Sequence, residues 1–194
     1  MSFIRAVFIL SFMLTCAAAS VAQVTGQCTL KTEQLAGAQE LYGLHPGMTV
    51  EQVKARVPTL EMGQTDAAGL SKTSFSPEFH PAMDKAAYRG ARTISLEFFD
   101  GRLSSLRVGY NASFKWKSLE EFVPGMSRAL GLPNSWQPRS RGGQQLVCGD
   151  YQVTATMIGG SPSISISDEK ARSTWEARQA AIEEAEESAS HPEP

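Results

Sequence analysis

The 194-residue chain lacks any excess of positive charge: 18 Lys and Arg stand against 20 Asp and Glu, a formal net charge of −2. Surfaces built for nucleic acid carry a basic excess, as do those drawn to anionic lipid, so neither partner is expected. Metal chemistry is equally short of material. The three histidines, His45, His80 and His191, are scattered, and no cysteine or carboxylate stands near them in a ligand motif. His80 and Asp84 are four apart, but Pro77 and Pro81 work against the helix that would align them. There is no Gly-x-Ser-x-Gly elbow, no Cys-x-x-Cys pair and no Gly-x-x-x-x-Gly-Lys-Ser/Thr phosphate loop. No cofactor and no metal site is expected.

Long hydrophobic runs are missing too. The apolar stretch at residues 6–14 is shorter than the roughly 20 residues a bilayer-spanning helix needs. Preceded by Arg5 and followed by small residues closing at Ser20-Val21-Ala22, it has the order of a cleavable secretory signal over residues 1–22, with a mature start at Gln23. Lipidation at Cys16 is disfavoured, because Thr15 in Met13-Leu14-Thr15 is a poor fit to the small residue expected there. The expectation is a periplasmic or secreted protein with no transmembrane segment after cleavage.

Cysteine is scarce as well, three in all. Loss of Cys16 with the signal leaves Cys28 and Cys148, which an oxidising compartment would join. Such a bridge closes a loop of roughly 120 residues, and the chain-entropy model assigns somewhat more than about 4.7 kcal/mol to a closure of that size.

What is present reads as one α+β domain over residues 23–167 followed by an acidic helical or disordered tail over residues 168–194. Thr49 followed by Gln52 is a capping box, and Val50, Val53 and Val57 form one stripe of a short helix stopped by Pro58. Residues 61–90, rich in Gly, Ser, Ala and Pro, read as a long irregular connection and a reasonable place for binding. Ile94, Leu96 and Phe98 alternate on one strand, Asp100-Gly101 turns the chain, and the return strand runs to Tyr110. A two-residue turn pairs Phe98 with Leu103. It would then place Leu106, Val108 and Tyr110 on the wrong face, so a bulge at Ser104-Ser105 is predicted.

A second helix starts at Ser118, capped with Glu121, and carries Leu119, Phe122, Met126 and Leu130 up to Gly131. Pro124-Gly125 inside it predicts a kink, or a regular helix that begins only at Pro124. A second hairpin turns at Gly149-Asp150 with Leu146, Cys148, Tyr151, Val153, Ala155 and Met157 on one face, and Ile164 and Ile166 mark a further strand. The fold class is therefore α+β: an antiparallel sheet of two hairpins plus a strand, covered on one face by two short helices, with a C-terminal helix. That last helix can start at Asp168, has Trp175 as its one large anchor, and ends in Glu183, Glu184, Glu186 and Glu187.

Among lesser candidates, Arg139-Ser140-Arg141-Gly142-Gly143 could cradle an anion in backbone amides, although a solvated connection is the commoner role of such a run. Asn111-Ala112-Ser113 is a glycosylation sequon, meaningful in a eukaryotic host. Phe114, Trp116 and Trp136 flank the second helix, where burial is the commoner fate.

Two pieces in order, Gly47-Met48-Thr49 with Gln52-Val53, and Leu96-Glu97-Phe98-Phe99-Asp100-Gly101-Arg102-Leu103, resemble one unit of the β-lactamase inhibitor protein and outer-membrane assembly lipoprotein (BamE-like) group. The resemblance covers roughly residues 44–108. It implies a helix start paired with antiparallel strands, and a protein that binds other proteins instead of catalysing; it carries over no binding residue. The sequence thus favours an exported, non-enzymatic binding or adaptor protein whose partner is a protein or envelope component. The alternative is a secreted hydrolase drawing on His80, Asp84 and nearby serines.

Overall fold

The computed structural model describes residues 28–80 and 83–190. The expected signal, Cys16, Gln23 and His191 lie outside the described residues. Within them the chain is an α+β fold whose centre is an antiparallel seven-stranded sheet in the order β1-β2-β3-β7-β6-β5-β4.

The first helix, α1 (Val50–Arg56), starts where the capping box places it: the Thr49 amide donates to Gln52 Oε1 at 2.8 Å and the Gln52 amide to Thr49 Oγ1 at 3.3 Å. Its entry is tied to the first hairpin. The Gly47 amide donates to the Leu103 carbonyl and the Leu103 amide to the Met48 carbonyl, both at 2.8 Å. That hairpin is β2 (Ala91–Phe99) and β3 (Arg102–Tyr110), turned by Asp100 and Gly101, both at positive φ as a two-residue turn that follows the strand twist requires.

The bulge is where the pattern demanded it. Phe98 faces Leu103, Glu97 faces Ser105 and Leu96 faces Leu106, so Ser104 is the extra residue. Its hydroxyl donates to the Glu97 carbonyl at 3.0 Å. One inserted residue thereby returns Leu106, Val108 and Tyr110 to the face of Ile94 and Leu96, and all five are at most 1% exposed.

Residues 61–90 are not wholly irregular, which corrects the sequence reading. They contain β1 (Leu70–Phe75), an edge strand paired along its length with β2. Its inward positions are Ser71, Thr73 and Phe75, so hydroxyls replace the apolar alternation that would announce a strand. A second unforeseen strand, β4 (Gln137–Pro138), closes the opposite edge against β5 (Gln144–Cys148). It is two residues long and contains a proline, acceptable only at an edge.

α2 (Leu119–Leu130) runs unbroken through Pro124 from its Ser118 cap, and ends on Gly131 at φ 66°, where the Leu132 amide reaches the Ser127 carbonyl at 2.8 Å. The regular helix therefore begins at Leu119 and not at Pro124. β6 (Tyr151–Ile158) and β7 (Ser161–Asp168) complete the sheet. Each half is a helix followed by a meander, and the last strands of the two meanders pair antiparallel at the centre, Leu106 opposite Ile166 and Val108 opposite Ile164.

Alternation sends Ile94, Leu96, Phe98, Val153, Ile164 and Ile166 inward, where they pack with Val53, Phe122 and Met126 of the helices and with Leu35, Leu41 and Leu44 of the segment before α1. The expected disulfide joins Cys28 to Cys148 and ties that leading segment to the end of β5. It fits an oxidising, extracellular setting. No helix among the described residues is long and apolar enough to cross a membrane.

Candidate functional site

Helices cover the inner face of the sheet, while the outer face is only partly covered. α3 (Glu169–Ser190) begins where the Asp168 carboxylate accepts from the Ala171 amide at 2.9 Å, then lies over the outer face of the first meander. It buries no residue fully. Polar ties hold it instead. Trp175 Nε1 donates to Asp66 Oδ2 at 3.0 Å, and Arg178 makes two parallel 2.9 Å bonds to the Asp100 carboxylate while lying over the Phe99 ring. The amide of Leu70, with help from Trp175 and Ala68, holds Asp66 below the usual carboxylate range, and Arg178 does the same for Asp100.

The outer face of β3, β7 and β6 stays open as a cleft of about 620 Å³. Its floor is a grid of small polar side chains. Ser105 faces Ser167 across the β3–β7 ladder, and Thr154 and Thr156 of β6 face Ser165 and Ser163 of β7. Short hydroxyls can both donate and accept, and they lose little rotamer freedom when a partner orders them. Exposed sheet faces carrying Lys and Glu would have to immobilise long side chains first.

The walls carry arginines in excess of carboxylates: Arg107, Arg139, Arg141 and Arg172 against Glu97 and Glu169, of which Glu97 is paired with Lys72. Arg107 rises from β3, and Arg139 and Arg141 come from the turn between β4 and β5. Among the described residues none of these three has a carboxylate at ion-pair distance, whereas Arg172 at the α3 end is paired with Glu169. Among the described residues Glu169 Oε1 is buried without a hydrogen-bond partner. Gly143 fixes the arginine turn: it sits at φ 84°, and a Cβ there would lie 2.3 Å from the Ala155 carbonyl oxygen.

In residues 139–143 the Arg139 amide donates to the Gly143 carbonyl and the Gly142 amide to the Arg139 carbonyl, so two of the five amides of the expected anion cradle are engaged within the turn, while Arg139 and Arg141 line the cleft.

The hydrolase candidates separate. His80 lies in a different cleft of about 530 Å³, with its Nδ1 3.4 Å from Thr59 Oγ1 and with Glu61, Ser74 and Ser76 on the walls. Asp84 is elsewhere, accepting from the Ala86 amide at 2.9 Å. Among the described residues no carboxylate is within hydrogen-bond distance of the His80 ring, so a hydroxyl and an imidazole meet without the third group that would orient them. No group of three or more His, Cys, Asp or Glu among the described residues could hold a metal ion. His45 bonds the neighbouring Pro46 carbonyl through Nδ1, and the Asn111 side chain accepts from Ser113 within its own turn.

Phe114 is buried and stacked on Tyr110, Trp116 is partly buried and edge-on to Phe122, and the Trp136 indole donates to Ser127 Oγ at 2.7 Å. These aromatics serve the fold. The outer-face residues were visible in the sequence only as the polar partners of the alternation. That they form one surface depends on the β3-β7-β6 order, which local patterning does not carry. No family model, no curated protein and no solved structure matches this chain.

Proposed function

We propose that this protein is exported by its N-terminal signal and works as a non-enzymatic binding protein, engaging a protein or envelope component through the outer face of β3, β7 and β6. The observation that carries the reading is the open hydroxyl floor with three arginines on its walls that have no ion pair among the described residues. Such a surface offers directional hydrogen bonds and charge at low ordering cost, which is what recognition of a polar macromolecular surface uses. The exposed Ile158 at the margin, 61% accessible, supplies an apolar contact beside it. The Gly47-Met48-Thr49 helix start and the Phe98-Phe99-Asp100-Gly101 hairpin, which resemble a unit of the β-lactamase inhibitor and BamE-like group, support the same non-enzymatic class.

The test is retention of a partner from envelope extract by the wild type and by Thr154→Lys/Ser165→Lys, which fills the floor of the cleft. Retention by the wild type and loss in the variant is expected. Equal retention by both would remove the outer face from the account.

The Thr59–His80 pair supports the second reading, a hydrolase centred on the other cleft. Its test is hydrolysis of ester and peptide substrates by wild type and His80→Ala; turnover that disappears in the variant would favour this reading over the first.

A further inference from the structure

Resting on that reading of the outer face, we infer that the cleft between Arg107, Arg139 and Arg141 receives the acidic end of α3 from a second copy of the chain. The occupant is named by charge. Glu183, Glu184, Glu186 and Glu187 are all exposed, and their spacing places them on one side of the helix. They also sit at the negative end of the helix dipole with no basic residue in the last turn, an arrangement that external cations relieve. Arg107, Arg139 and Arg141 converge on that one cleft, and none of the three has an ion pair among the described residues.

The two cannot meet within one molecule. Trp175 and Arg178 pin α3 to Asp66 and Asp100 beside β1, at the opposite edge of the sheet from the β4–β5 turn that carries Arg139 and Arg141. From Arg178 the helix runs onward by about 8 to 14 Å through the acidic cluster, at 1.5 Å per residue, without turning back. A helix end that runs out past the β1 edge and a cleft over β3, β7 and β6 of the same chain define a head-to-tail contact between copies.

The experiment is sedimentation velocity over a range of concentrations at about 20 mM salt and again at about 0.5 M salt, where screening collapses exposed charge attraction. The wild type should form larger species at low salt and return to monomer at high salt. Arg107→Ala/Arg139→Ala/Arg141→Ala should be monomeric, as should the variant with all four glutamates changed to Gln, a substitution of near-equal helix propensity. Mixing the two variants should restore a 1:1 complex, since one retains the helix and the other the cleft.

A wild type that stays monomeric at every concentration overturns the inference. So does association that survives in the arginine variant, or a mixture that remains monomeric although the wild type associates. A monomeric wild type that still loses its envelope partner through Thr154→Lys/Ser165→Lys would sink this contact alone. Self-association with no effect of those lysines on partner retention would instead sink the functional reading.

Discussion

The ring of Trp116 occupies the place where a Cβ on residue 125 would stand: a methyl group built on Gly125 would lie 2.2 Å from Trp116 Cε2. This explains a glycine inside α2 that costs roughly 1 kcal/mol of helix propensity relative to alanine. Trp116 cannot easily withdraw, because it packs edge-on against Phe114 and Phe122 and has the Lys115 ammonium 4.3 Å from its ring centre.

Gly125→Ala therefore sets a propensity gain of about 1 kcal/mol against an overpacking cost of about 1 to 3 kcal/mol. The expected outcome is a net loss of stability in urea unfolding. In the Trp116→Ala background the same substitution should become neutral or stabilising, and a loss of equal size in both backgrounds would show that the ring is not the obstacle.

Reduction of Cys28–Cys148 opens a closure of 120 residues between the leading segment and β5. Removal of a native disulfide from a small disulfide-closed domain commonly costs about 2 to 5 kcal/mol. The Cys28→Ala/Cys148→Ala variant should melt roughly 5 to 15 °C below the oxidised protein. A Tm within a degree of wild type would mean that the bridge restrains little.

The anchoring of α3 should fail in acid. The folded-state pKa values of Asp66 and Asp100 lie below their ordinary values, Asp66 chiefly through the Leu70 amide and Asp100 chiefly through Arg178. A depressed carboxylate contributes fully above its unfolded pKa, near 3.9, and the contribution is lost as pH falls through the lower folded value. The Trp175 indole N–H resonance should thus be constant from about pH 5 to 8 and shift below about pH 4. Arg178→Ala should weaken the anchor already at neutral pH. A resonance that titrates near neutrality would contradict the assignment to these carboxylates.

Much of the fold was legible because the deciding residues act locally. Thr49 and Gln52 cap α1 within one turn, Asp100-Gly101 sets its own hairpin, and the face-switching rule alone located the bulge at Ser104-Ser105, which the register narrows to Ser104. β1 was not legible, since Ser71 and Thr73 are polar residues facing inward at an edge, where pairing with Phe98 and Leu96 decides the conformation and side-chain periodicity does not. The disulfide followed from cysteine count. The candidate surface did not follow, because Arg107, Ser165, Thr154 and Arg141 come from four separate segments and become neighbours only when β7 inserts between β3 and β6. His80 and Asp84, close in sequence, end in different clefts for the complementary reason that short separation without a helix imposes no alignment.

The central claim, that the outer sheet face is where a partner docks, is tested most directly by photo-crosslinking in the native envelope. A crosslinking residue at Ser165 on the cleft floor is compared with one at Thr59 beside His80. A discrete crosslinked partner from position 165 that disappears with Arg107→Glu is expected, and none from position 59. Crosslinks from position 59 alone would contradict it and place the interaction in the histidine cleft.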